Sequence, residues 1–157
     1  MKRSWLIGVL LFVGALFGSR LNGAEDENKN DLARLQGKWQ VVGKDATGAE
    51  VRVVKTIDGN RELLEQFRNG ELIHAHAVDF KLRRTDEVHV FTYSNMVVTV
   101  GPRKGLKGPD KGSYIYQVRG DQWLTIEGFM IGDPEEGLPD ITLFTRVKGA
   151  KKMASAR

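Results

Sequence analysis

The chain contains no cysteine. That absence excludes disulfides, the lipidated N-terminal cysteine of bacterial lipoproteins and any cysteine nucleophile, so the fold must hold by packing alone. No apolar run is long enough to span a bilayer. The longest, from Trp5 to Phe17, is about 13 residues where a helical span needs roughly 20. Lys2 and Arg3 precede that run, and Gly18, Ser19 and Ala24 come after it, which is the order of a secretory signal peptide. Residues 1–24 are therefore expected to be cleaved near Ala24. The mature protein is expected to be secreted or periplasmic, with no stable membrane insertion.

Charge of one sign is also lacking. The whole chain has 24 Lys and Arg against 20 Asp and Glu, but Lys2, Arg3 and Arg20 lie in the signal, leaving 21 against 20. A field strong enough for global nucleic-acid binding is absent, and no nucleic-acid partner is expected. About 133 residues remain after Ala24, a size for one domain with a single core.

Beyond Gln36 there is no sustained helical period. Residues 25–30 form a polar linker, and Asp31 is placed to cap a short helix carrying Leu32 and Leu35 on one side. The remainder is a succession of short runs rich in Val, Ile, Thr, Phe and Tyr, separated by turn residues. They predict strands near 38–43, 50–57, 61–68, 71–83, 88–93, 96–101, 113–119, 122–128 and 141–148. The expected fold is all-β, an up-and-down antiparallel barrel of eight to ten strands over residues 31–148 with a short N-terminal helix. Residues 149–157 read as a basic disordered tail.

Asn69-Gly70 is the strongest hairpin signal, because a type I′ turn needs positive φ at both central residues. It sets Phe67 against Leu72, Glu65 against His74 and Leu63 against His76. A turn at Asp58-Gly59 sets Arg52 against Glu65, and Gly120-Asp121 marks a third hairpin. Alternation along the long strand puts Leu72, His74, His76, Val78, Phe80 and Leu82 on one face, which is the interior.

At the start of the β region stands LQGKWQVV, in which Gly37-Lys38-Trp39 forms a G-x-W, and ITLFTRVK near the other end supplies Arg146. This arrangement resembles the lipocalin-like (calycin) superfamily, and in particular an uncharacterised family of secreted planctomycete domains that begin with LQG-x-W. The resemblance implies that Trp39 closes one barrel end, that Arg146 on the last strand stacks on the indole by cation–π attraction, and that Gly37 admits close backbone approach. These three residues define the fold. The Thr-Asp-Tyr motif and long C-terminal helix of the better-known lipocalins are absent.

Taken together, the registers place Arg52, Glu65, His74 and His76 on one inward row. Buried charges need partners, so such a row either satisfies itself or orients the polar end of a ligand. His74-x-His76 with Glu65 also has the makings of a metal site, but His89 lies about six residues, roughly 20 Å, along the strand and does not complete it. No catalytic set, metal or cofactor is assigned. The basic loop 101–112 lacks a phosphate-binding pattern, and the acidic loop 132–140 lacks EF-hand spacing. The Gly-Asp of Arg119-Gly120-Asp121 is explained by its hairpin. The expectation is a non-enzymatic, extracytoplasmic binding protein for a small apolar or amphipathic ligand held by Arg52, Glu65, His74 and His76, of open oligomeric state. The alternatives are a structural or protein-interaction domain with a side-chain-filled barrel and, more weakly, a metal-assisted enzyme using His74 and His76.

Overall fold

A computed structural model describes residues 30–85, 87–108, 111–129 and 139–149. The expected signal peptide, nearly all of the expected linker and residues 150–157 of the expected tail lie outside these. A helical turn over residues 30–35 leads into eight strands: β1 (Gly37–Lys44), β2 (Glu50–Asp58), β3 (Arg61–Arg68), β4 (Glu71–Thr85), β5 (Val88–Val100), β6 (Lys111–Arg119), β7 (Gln122–Glu127) and β8 (Asp140–Arg146). Each pairs antiparallel with the next, and β8 returns to β1 through Trp39↔Arg146 and Gln40↔Thr145, closing the barrel. Closure removes the unpaired edges that would otherwise invite aggregation.

The turns explain both the topology and its departures from expectation. Asn69 and Gly70 have φ of 48° and 83°, as a type I′ turn requires. The β2–β3 hairpin, in contrast, closes on Asp58↔Arg61, so Gly59 and Asn60 are its central residues, one position later than expected. The two strands expected over 88–93 and 96–101 are a single strand. Its interruption at Asn95 is a positive-φ residue (55°) within a bulge, where Ser94 faces Asp79 and Val97 faces Ala77.

A further bulge changes the faces. Phe67 pairs with Leu72 as expected, but the register then shifts, and Gln66 rather than Glu65 faces His74 while Leu64 faces His76. One extra residue on β4 moves the β3 side chains from Gln66 back to Arg61 to the opposite face. Glu62, Leu64 and Gln66 thus share the interior with His74, His76 and Val78.

The interior is packed around aromatic rings. Phe91 stacks between Phe80 and Tyr114, with centroids 4.3 and 4.6 Å away, and Trp39 meets Trp123 edge-on at 5.7 Å. Trp39, Trp123, Phe91 and Leu35 are fully buried, and a side chain such as Phe91 contributes roughly 1.5–3 kcal/mol by leaving water.

The helical turn is tied to this core by polar contacts. Asp31 does not cap it, since the helix already includes residue 30. Its buried carboxylate instead accepts the Tyr116 hydroxyl at 3.0 Å and meets His89 Nδ1 at 2.5 Å. Burial and the neighbouring carboxylate hold the Tyr116 phenol protonated far above its ordinary range. The last helical carbonyls, which have no partner within the helix, are taken up by side chains, Gln36 Nε2 donating to Leu32 O at 3.0 Å. The Trp39 indole N–H donates to Leu35 O at 2.7 Å, and the Arg146 guanidinium donates to Gln36 O at 2.7 Å and to Arg34 O.

Candidate functional site

Alternation along β2 points Val53, Lys55 and Ile57 inward, and Lys55 faces Trp39 on β1 and Leu64 on β3. An ammonium is thereby carried into the barrel, where Lys55 retains only 3% of its exposure. Glu62 on β3 is equally buried, and the pair approach at 3.6 Å. Lys55 Nζ also lies 3.4 Å from the Tyr114 hydroxyl and about 5 Å from the ring centres of Tyr114, Trp123 and Phe144. A carboxylate and three aromatic faces together replace the water that this cation has lost. Burial pushes the Glu62 carboxyl above its ordinary range, Lys55 opposes that shift, and Glu127 adds to it. Burial likewise raises the Tyr114 phenol, with Glu62 and Glu127 reinforcing the effect.

These groups border a cavity of about 140 Å³. Leu64, Val78 and Met96 give it apolar wall, Lys55, Glu62, Tyr93 and Tyr114 give it polar atoms, and His76 and Glu127 complete it. His76 Nδ1 and His74 Nε2 are 3.0 Å apart. Burial, with the charges of His74, Lys55 and Arg103 behind it, holds His76 down to about 4. The imidazole facing the cavity is accordingly neutral at physiological pH. Glycine makes room on the barrel wall: a Cβ on Gly112 would come within 2.3 Å of the Tyr93 ring, and one on Gly108 within 2.3 Å of Met96 Sδ.

Of the four residues expected to form the inward row, only His74 and His76 are together inside. Arg52 and Glu65 lie on the outer face. Arg52 pairs with Phe67, and its guanidinium sits 4.4 Å over that ring, while Glu65 pairs with Val54 and Ala75. The β3–β4 bulge is the physical reason for the face, and the later β2–β3 turn, a register shift of two residues that keeps faces, is why Arg52 meets Phe67 rather than Glu65. Lys55 and Glu62 take their place, and Tyr93, Met96 and Glu127 were likewise not singled out from sequence. Lys55 was discoverable, because Val51, Val53 and Ile57 form an apolar alternation that passes through it. Glu62 was not, because its face depends on the bulge.

Gly37, Trp39 and Arg146, expected to define the fold, sit at the barrel seam. Arg146 Cζ lies 4.0 Å over the Trp39 ring, and its Nε is 3.3 Å from Asp121 Oδ1. Gly37 has φ of 108°, and a Cβ there would lie 3.4 Å from Arg146 Nη1. The close approach it permits is to the guanidinium rather than to the indole. His89 pairs with Arg84, eight residues from His76 along β4, roughly 26 Å of strand. Among the described residues no group of three His, Asp or Glu is arranged to hold a metal. The basic loop folds back on β5 through Gly105 N to Val98 O and Val98 N to Leu106 O, which brings the Arg103 charge to bear on His76. Most of the acidic loop lies outside the described residues.

Fold and site define a closed, eight-stranded antiparallel barrel with a small polar-floored cavity. Compared with known protein families, curated proteins and solved structures, the chain matches none.

Proposed function

We propose that this protein is an extracytoplasmic, lipocalin-like binding module, without catalytic activity of its own, that holds one small, partly apolar molecule inside the barrel. The observation that carries this reading is the cavity itself. Its wall is Leu64, Val78 and Met96, its floor the Lys55, Glu62 and Tyr114 cluster. Small-molecule sites combine an apolar lining with a few placed polar groups in this way. Size restricts the occupant. At about 140 Å³ the cavity falls below the roughly 300 Å³ at which drug-sized pockets begin and is close to the roughly 150 Å³ that accommodates a benzene ring. Export is supported by the charged, apolar and small-residue order of residues 1–24.

Titration of ring-sized probes such as phenol, cyclopentanol and toluene, monitored by the methyl resonances of Leu64, Val78 and Met96, tests this reading. Saturable shifts confined to those methyls are expected. No shift with any probe would mean a barrel filled for structural purposes.

A second reading has an observation of its own. Val90, Ile115, Ile126 and Ile141 are register partners in one row across β5, β6, β7 and β8, and Leu124 pairs with Leu143 beside them. Ile141 and Leu143 are 64% and 45% exposed. Such an outer apolar face suits protein contact. Concentration-dependent sedimentation, compared with that of Ile141→Lys, distinguishes a protein that associates through this face from one that does not.

A further inference from the structure

We propose that the molecule taken into this barrel is a small organic cation, a primary ammonium on an apolar body of about one ring, whose N–H groups bind the free oxygen of Glu62. The inference rests on reading the barrel as a binding module and adds the chemistry of the ligand.

Glu62 is 3% exposed, and its two oxygens are not equivalent. Oε1 faces Lys55 at 3.6 Å, whereas Oε2 is buried with no hydrogen-bond partner. A buried carboxylate oxygen without a donor is costly, and such groups in native proteins are almost always satisfied. Glu62 lines the cavity, and a rotation of its carboxyl group would present this oxygen to a donor entering that space.

Charge selects among donors. Lys55 and Glu62 offset one another, while Glu127 adds a second carboxylate to the same lining. His76, held neutral, contributes no positive charge at neutral pH. An anion would meet two carboxylates, and Lys55, the cation in the cavity lining, is already engaged by Glu62, Tyr114 and three ring faces. A cation meets the reverse: a free carboxylate oxygen, a second negative group and the rings of Tyr93 and Tyr114. Aromatic faces attract ammonium groups in desolvated sites. Leu64, Val78 and Met96 are left for the apolar body, and the cavity volume limits that body to about one ring.

The test uses the mature protein and four matched probes: cyclopentylamine, cyclopentanol, cyclopentane and cyclopentanecarboxylate, each titrated by calorimetry and by the Met96 methyl resonance. The amine is expected to bind at least tenfold more tightly than the alcohol, with no measurable binding of the carboxylate. Glu62→Gln, which keeps the shape and removes the charge, is expected to weaken the amine at least tenfold. If Glu62→Gln does not fold, Glu127→Gln at the exposed end of β7 serves instead, with a several-fold loss expected for the amine and none for the alcohol. Equal binding of amine and alcohol, tighter binding of the carboxylate, or amine binding indifferent to the variant that is measured would overturn the ammonium assignment while leaving the binding module intact. If none of the four probes binds, both readings fall together.

Discussion

Trp39 and Arg146 show how much one residue can carry in this barrel. The indole is fully buried, donates to a helix-terminal carbonyl and lies under a guanidinium that holds two more. Trp39→Ala is expected to cost about 3–5 kcal/mol, the range for deleting a large buried aromatic side chain. Arg146→Ala should cost less, and the double variant should fall short of the sum because the two groups touch. Urea midpoints of the three variants measure both effects. The Lys55–Glu62 pair makes a different prediction, because a buried charge is most harmful when its partner is removed. Glu62→Leu should destabilise by about 3–5 kcal/mol, and adding Lys55→Met should recover much of that loss, since an apolar pair replaces a buried ion pair at little cost. A double variant less stable than Glu62→Leu alone would show that the ion pair contributes net stability. At this scale Trp39 and Arg146 were legible in the sequence because a short motif marks them. Lys55 was passed over because a lysine amid valines is ordinarily read as facing water.

Elements were legible where local chemistry alone decides them. Asn69-Gly70 fixes its hairpin because few other pairs accept positive φ twice, and the all-β barrel class comes from the strand runs and turns. Registers further from a turn were not legible. The bulge opposite Gln66 and Phe67 and the shift at Asn95 arise from how neighbouring strands twist and close into a barrel. The second is marked locally by Asn95, a residue type that accepts positive φ and at which the expected strand was broken in two, whereas the first leaves no local mark and yet decides whether Glu65 or Glu62 faces inward. The β5–β6 pair gives a prediction of its own. Gly112 faces Tyr93 across the ladder, and the tyrosine ring occupies the space a side chain would need. Gly112→Ala should expel the ring from its seat, cost about 1–3 kcal/mol as an overpacking change, and abolish saturable binding of ring-sized probes. Thermal unfolding and the Tyr93 ring resonances report the first two effects, and probe titration the third. Unaltered ring resonances would mean that the wall accommodates the methyl without moving Tyr93.

For the whole molecule, near balance of acid and base over residues 25–157 means that pH acts through particular buried groups rather than through net charge. Two of them line the cavity and pull in opposite directions. His76 has its folded value lowered from 6.5 to about 4, chiefly by burial, so between those values the unfolded chain binds more protons than the native one. Its contribution to stability is fully present above about 6.5 and is lost progressively as pH falls toward 4. Glu62 has its folded value raised above 4.5, again chiefly by burial. The native state then holds the extra proton, and stability from this group declines as pH rises through its folded value. Because both groups lie on the same cavity and shift stability with pH in opposite senses, the wild-type profile alone does not separate them. His76→Gln removes one titration and keeps a polar side chain beside His74, Lys55 and Arg103. The stability difference between wild type and variant, measured by urea unfolding from pH 7.5 to pH 4, should shift steadily in favour of the variant below pH 6.5 and level off near pH 4. A difference that stays constant across that range would mean that His76 protonates equally in the native and unfolded chains, and that the cavity wall around it admits water freely.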